Sequence, residues 1–326
     1  MKKTLFSILL LQLACDLLPA QTFQQVSPNT SFGNTYGTLI MADLDNDGDP
    51  EIIESGLSSF SIFKNTNGTF DEVIDFPDFR ANNHVFSLDV GDINKDGFID
   101  ILHASNNYNS VLPQVLLNKS PGITNFEGGD LDGGMIGSLY LGDFEGDGDL
   151  DAISSGQSGI SINRKGKWSM DYHFPNYGTW YSNWCDLDHD SQLEVIQAYG
   201  GSNYFVANYI LEKAYPTMSI SKTLTFPGFI IDTDFADYDA DGDLDMLAKQ
   251  MDANGNNVKL YKNVNNDFID VGISFPWGVS IDFGDIDKDG RYDVVIGGMM
   301  TSTWYVFETA IYLNQGNDTF TKLNVT

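Results

Sequence analysis

Six times along this chain the pattern Asp-x-[Asp/Asn/Glu]-x-Asp recurs, opening at Asp43, Asp92, Asp143, Asp186, Asp237 and Asp285. The copies stand about 50 residues apart and span most of the sequence, the spacing of propeller blades. Stacked on one another, they align well beyond the acids. Two residues before the first Asp stand Met41, Val90, Leu141, Trp184, Phe235 and Phe283, all large and apolar. One before stand Ala42, Gly91, Gly142, Cys185, Ala236 and Gly284, all small. The second loop position is always apolar, with Leu44, Ile93, Phe144, Leu187, Tyr238 and Ile286. Paired apolar residues follow each loop: Ile52-Ile53, Ile101-Leu102, Ala152-Ile153, Val195-Ile196, Met246-Leu247 and Val294-Val295. Each copy therefore reads as strand, acidic turn, buried strand.

A third apolar run ends in Asn65, Asn118, Asn263 and Asn314, and an aromatic opens a fourth strand at Phe70, Phe126, Trp168, Phe268 and Phe320. Four short strands per copy, without helical periodicity between them, predict an all-β chain: a β-propeller of about six four-stranded blades. A seventh blade without the motif is the alternative. Thr22–Val26 reads as a spare fourth strand beside Thr319–Leu323, and one of the two is expected to close the ring by pairing the chain ends.

Each loop places oxygen-bearing side chains at positions 1, 3, 5 and 9. These are Asp43, Asp45, Asp47 and Glu51; Asp92, Asn94, Asp96 and Asp100; Asp143, Glu145, Asp147 and Asp151; Asp186, Asp188, Asp190 and Glu194; Asp237, Asp239, Asp241 and Asp245; and Asp285, Asp287, Asp289 and Asp293. Alternate residues of a tight loop converge, and carboxylates so close repel unless a cation joins them. Ca²⁺ takes about six to eight hard oxygens, which such loops supply. An EF-hand shares the first five positions but closes its site with Glu at position 12. That place is held here by Glu54, His103, Ser154, Gln197, Ala248 and Ile296, so a calcium turn inside a hairpin fits better. Loop 4 has Ser191 where a permissive Gly is expected, and loop 2 has the uncharged Asn94; both are expected to bind less well.

On these six loops the sequence resembles the FG-GAP and VCBS repeats of integrin α-subunit propellers and secreted microbial propellers. The resemblance implies a propeller, Ca²⁺ at the loops, and roles in adhesion or glycan binding.

The chain has 326 residues and a formal net charge of −29, which makes nucleic acid and bare anionic lipid poor partners. Met1-Lys2-Lys3, the apolar run from Leu5 to Ala14, and Leu18-Pro19-Ala20 form a signal-peptide layout. Residues 1–20 are expected to be removed, leaving residues 21–326 as a single secreted or cell-surface domain; lipoprotein processing at Cys15 is the alternative. No later apolar run approaches the ~20 residues of a transmembrane segment. With Cys185 the only other cysteine, no internal disulfide is expected.

His84, His103, His173 and His189 show no catalytic spacing, and Cys185 lies in the column of small residues. No catalytic residue is assigned. Trp180, Tyr181, Trp184, Trp277 and Trp304-Tyr305, with the turn Asn106-Asn107-Tyr108-Asn109, are candidates for an aromatic and polar surface toward an extracellular glycan or protein; core packing is the alternative for each aromatic, less so for Trp180 and Trp304. The expected function is a binding or adhesion module in which Ca²⁺ is structural; the alternative is a polysaccharide-active enzyme such as a lyase.

Overall fold

The computed structural model describes residues 39–55, 59–67, 69–77, 84–106, 113–119, 126–130, 139–155, 159–175, 179–200, 206–252, 255–278, 280–300 and 307–323. They form six four-stranded antiparallel sheets, the blades of a β-propeller, over residues 39–77, 84–130, 139–173, 179–224, 228–275 and 280–322. Every blade is built from four strands consecutive in sequence. Thr22–Val26 lies outside the described residues, and Phe320–Lys322 forms the fourth strand of blade 6. The described residues contain no helix long and apolar enough to cross a membrane.

The paired apolar residues after each loop are explained by the pleat. Successive side chains on a strand point to opposite faces, and each face of a blade meets a different neighbour. In blade 2, Ile101 packs with Leu44, Ile53 and Ile62 of blade 1, while Leu102 packs with Leu139 and Ala152 of blade 3. In blade 4, Val195 faces Phe144, Ile153 and Ile162 of blade 3, and Ile196 faces Ile230, Met246 and Ala248 of blade 5. The last interface joins Leu247, Val258 and Leu260 to Phe283, Val294 and Ile296. Each apolar core among the described residues thus lies between two blades, so no blade can bury its faces alone.

The column of small residues follows from the same packing. A Cβ on Gly142 would lie 2.8 Å from the Trp184 ring of the next blade, and one on Gly91 2.5 Å from Leu150. Tyr181 and Trp184, which the sequence offered as surface aromatics, are core residues at 1% and 8% exposure. Trp184 donates its indole N–H to the Leu141 carbonyl at 3.2 Å. The Trp180 side chain, Trp304, Tyr305 and residues 107–109 lie outside what the structure describes.

Hydrogen bonds stitch the blades where the apolar contacts end. The Asn118 amide donates to the Leu44 carbonyl of blade 1 (2.8 Å), Asn163 to Ile93 of blade 2 (3.1 Å) and Asn314 to Tyr238 of blade 5 (2.8 Å). Each acceptor is loop position 2 of the preceding blade. Blade 4 has no Asn at the end of its third strand; instead the Lys213 ammonium reaches the equivalent carbonyl, Phe144, at 3.1 Å. Asn314→Ala leaves the Tyr238 and Tyr292 carbonyls without this donor, and a destabilisation of about 1–3 kcal/mol is expected, read as a lower urea midpoint. An unchanged midpoint would show that blade packing alone holds the ring.

Candidate metal centres

All six loops join the first strand of a blade to its second, so they share one face of the propeller. Within each, the position-1 carboxylate organises the turn. Asp43, Asp92, Asp143, Asp237 and Asp285 each accept the backbone N–H groups of positions 5 and 6, at 2.8–3.1 Å. The turn needs left-handed backbone at position 6, which glycine adopts at no steric cost: φ is 94° at Gly48 and 99° at Gly242. Loop 4 pays for Ser191, whose φ is 69°. Its Asp186 accepts from Ser191 N–H, but the Asp190 N–H turns to Asp188 instead.

The position-9 acid is the buried end of each loop. Glu51, Asp100, Asp151, Glu194, Asp245 and Asp293 are at most 6% exposed, and each accepts the N–H of loop position 2 at 2.8–3.2 Å. In five loops the second oxygen accepts the backbone N–H of Asn65, Asn118, Asn163, Asn263 or Asn314. The sequence showed these asparagines only as strand ends; their contact with the acidic loop, and Asn163 itself, emerge from the fold.

Burial sets the electrostatics of these acids. It raises Glu51 above the usual carboxylate range, takes Asp100 and Asp151 to about 6, and takes Glu194 and Asp245 to about 7. Neighbouring loop carboxylates add to the rise, and backbone N–H donors oppose it.

Ligand oxygens of Asp43, Asp45 and Glu51 lie within 4.8 Å of one another, as do those of Asp186, Asp188 and Glu194, of Asp237, Asp239 and Asp245, and of Asp285, Asp287 and Asp289. Asp45 Oδ1, Asp186 Oδ1 and Asp239 Oδ1 are buried without a hydrogen-bond partner. An unpartnered buried carboxylate oxygen is costly, and a hard cation satisfies it. These residues therefore fit a metal ion.

Asp47, Asp190, Asp241 and Asp293 stand outside those four groups. Loops 2 and 3 bring no such trio together among the described residues. Asn94 donates its amide to Asp96 at 3.0 Å, and Arg164 draws Glu145 aside at 3.2 Å. Cationic side chains also reach other loops: Lys64 pairs with Asp45 at 2.7 Å, and Lys262 with Asp239 and Asp241. Loop 4, for all its irregular turn, assembles three of its four carboxylates, Asp186, Asp188 and Glu194.

Of the remaining sequence candidates, His103 is buried in the second strand of blade 2, and His189 contacts the Gly242 carbonyl of the next loop at 2.7 Å. Burial raises the Cys185 thiol well above its ordinary pKa, which removes its nucleophilic form.

Residues 43–103, which contain the first two loops, match the family model of the FG-GAP-like repeat. The six-bladed propeller is consistent with FG-GAP-like repeats along the chain. No curated protein matches it. Among solved structures, similarity extends to a Bacillus licheniformis rhamnogalacturonan lyase (16% identity, TM-score 0.47, 79% of this chain and 58% of that one). It extends also to the Vibrio cholerae biofilm matrix protein Bap1 (16%, 0.47, 80% and 44%) and to the Photorhabdus luminescens Tc holotoxin pore (14%, 0.43, 84% and 14%). The chain spans less than two thirds of each of these structures, and at such similarity they say nothing of its ligand.

The acidic loops have a pH signature. A carboxyl whose folded pKa lies above its unfolded value of about 4 holds its proton more tightly in the folded chain. Its stabilising contribution is therefore present at low pH and is lost as pH rises through about 6 to 7. Metal-stripped protein is expected to melt higher at pH 5 than at pH 8. A bound cation favours the ionised acids and should invert that order, so melts at both pH values, with and without metal, check the assignment.

Proposed function

We propose that this chain is a secreted, calcium-binding β-propeller that serves as a binding module for an extracellular glycan or protein, with Ca²⁺ as a structural clamp. The observation that carries the reading is the division of the propeller into two faces. The acidic loops, all between first and second strands, occupy one face. The ends at which first strands begin and second strands finish point to the other.

Calcium is favoured over softer metals by the donor set, which is all oxygen: carboxylates, an amide and the backbone carbonyls of the turn. The loop ligands would be positions 1, 3, 5 and 9 as read from the sequence. Their load is structural because in five loops the position-9 acid also ties its own loop to the third strand behind it. Secretion is supported by the leader-like layout of Met1–Ala20, and the opposite face is left for a partner.

Because the sites exist only in the folded chain, each adds RT ln(1 + [L]/Kd), about 2.7 kcal/mol at a hundredfold excess over Kd. Stripping calcium should lower the melting temperature markedly, and readdition should restore it. Asp239→Ala should cost more than Asp188→Ala, because loop 5 has the regular turn and loop 4 does not. Equal melts with and without metal would remove calcium from the reading. Partner binding is tested with the calcium-loaded mature chain on immobilised glycans and extracellular matrix proteins. Release of unsaturated products from an acidic polysaccharide would replace the binding module with a lyase.

A further inference from the structure

One polar cluster lies apart from the loops and breaks the repeat that builds the rest of the molecule. In the strand register, Lys249 on the second strand of blade 5 faces Asp232 on the first. The equivalent pairs are Ala104 with Ser87 in blade 2, Ala198 with Tyr181 in blade 4, and Gly297 with Ser280 in blade 6. The fold thus asks for a small residue where Lys249 stands. A charged pair in that column has a desolvation cost that packing does not require, and departures of this kind mark function more often than architecture.

The neighbours of the pair are equally distinctive. The Lys249 ammonium lies 5.0 Å from the centre of the Trp277 ring, which sits in the connection entering blade 6. Tyr140 of blade 3 donates its hydroxyl to Asp232 Oδ1 at 3.3 Å, a bond that skips blade 4 and so places the cluster near the propeller axis. Asp232 lies five residues before the acidic loop of its own blade, toward the opposite face. Tyr140, Asp232, Lys249 and Trp277 are all half-buried, reachable by solvent although packed among the innermost strands. Burial raises the Asp232 carboxyl to about 6 and lowers Lys249, as is common where side chains are held for a ligand rather than for water.

We propose that Lys249, Asp232, Trp277 and Tyr140 form a binding subsite for a neutral sugar residue, at the end of the axis away from the cation loops. A carboxylate acceptor opposite an ammonium donor matches a pair of neighbouring hydroxyls, each of which gives one hydrogen bond and takes another. The Trp277 ring offers the apolar surface on which the C–H face of a pyranose rests. Charge selects among sugars. Asp282 adds a second negative group near Asp232, and the whole chain carries −29, so uronates and sulfated sugars are repelled. A cationic ligand would have to displace the Lys249 ammonium from the Trp277 ring.

The subsite rests on the binding-module reading, and the experiment separates the two. Calcium-loaded mature protein and its Lys249→Ala and Trp277→Ala variants are titrated with neutral oligosaccharides and with an oligouronate, alongside thermal melts. Wild type is expected to bind a neutral oligosaccharide, with each variant weaker by about tenfold or more. Lys249→Ala should not lower the melting temperature, because alanine is what the fold carries there in blades 2 and 4. Full affinity in both variants would overturn the subsite and leave the binding module standing. Binding of the oligouronate alone, or of no sugar by wild type, would overturn the ligand class. A large drop in the melt of Lys249→Ala would make the residue structural and overturn its role.

Discussion

The buried position-9 carboxylate is the contact on which the architecture turns. One oxygen holds the loop's second residue, and in five blades the other holds the asparagine that ends the third strand. In three blades the side chain of that asparagine crosses to the preceding blade, so loop, sheet and neighbour are tied through one acid. Such an acid is expensive when ionised out of water, and at Glu51, Asp100, Asp151, Glu194 and Asp245 burial raises the pKa accordingly. A cation that keeps it ionised converts a liability into a clamp. Under the proposed calcium clamp, this is how a chain without an expected disulfide holds together six blades whose apolar faces are satisfied only in pairs.

The loops form one face by the same logic. Because the turn from first to second strand carries the motif in every blade, the acidic loops repeat around one rim. Uniqueness appears where the repeat fails. Lys213 stands in for an asparagine and donates to the same carbonyl, a substitution that preserves the architecture. Lys249 stands where the equivalent position of blades 2, 4 and 6 carries Ala or Gly, and it sits beside an acid, an indole and a phenol near the axis. The contrast separates a departure that maintains structure from one that serves a ligand.

Much of the fold was legible in the sequence. The spacing of the loops, the small and apolar columns and the aromatic openings of the fourth strands predict four strands per blade and six blades, and the sheets follow that order. The loop carboxylates were legible only in part: alternate residues bring three together in loops 1, 4, 5 and 6, while Asp47, Asp190, Asp241, Asp293 and the acids of loops 2 and 3 stand outside those groups among the described residues. For Tyr181 and Trp184 the sequence left a surface role and core packing both open, because a strand alternation does not say which neighbour covers each face; the structure places both in the core.

What the sequence determined by itself was local: the turn chemistry, the period, and the alternation that makes each strand two-faced. These depend on residues within about ten positions of one another, and six copies repeat the message. Tertiary structure alone decided which blade meets which. It turned strand-end asparagines into bridges to residues about 75 positions away, and brought Tyr140 to Asp232 across an intervening blade. The reason is geometric. A repeat fixes the shape of each blade, but distances near the axis are set only when the blades stand around it, and side chains far apart in the chain then share one small space.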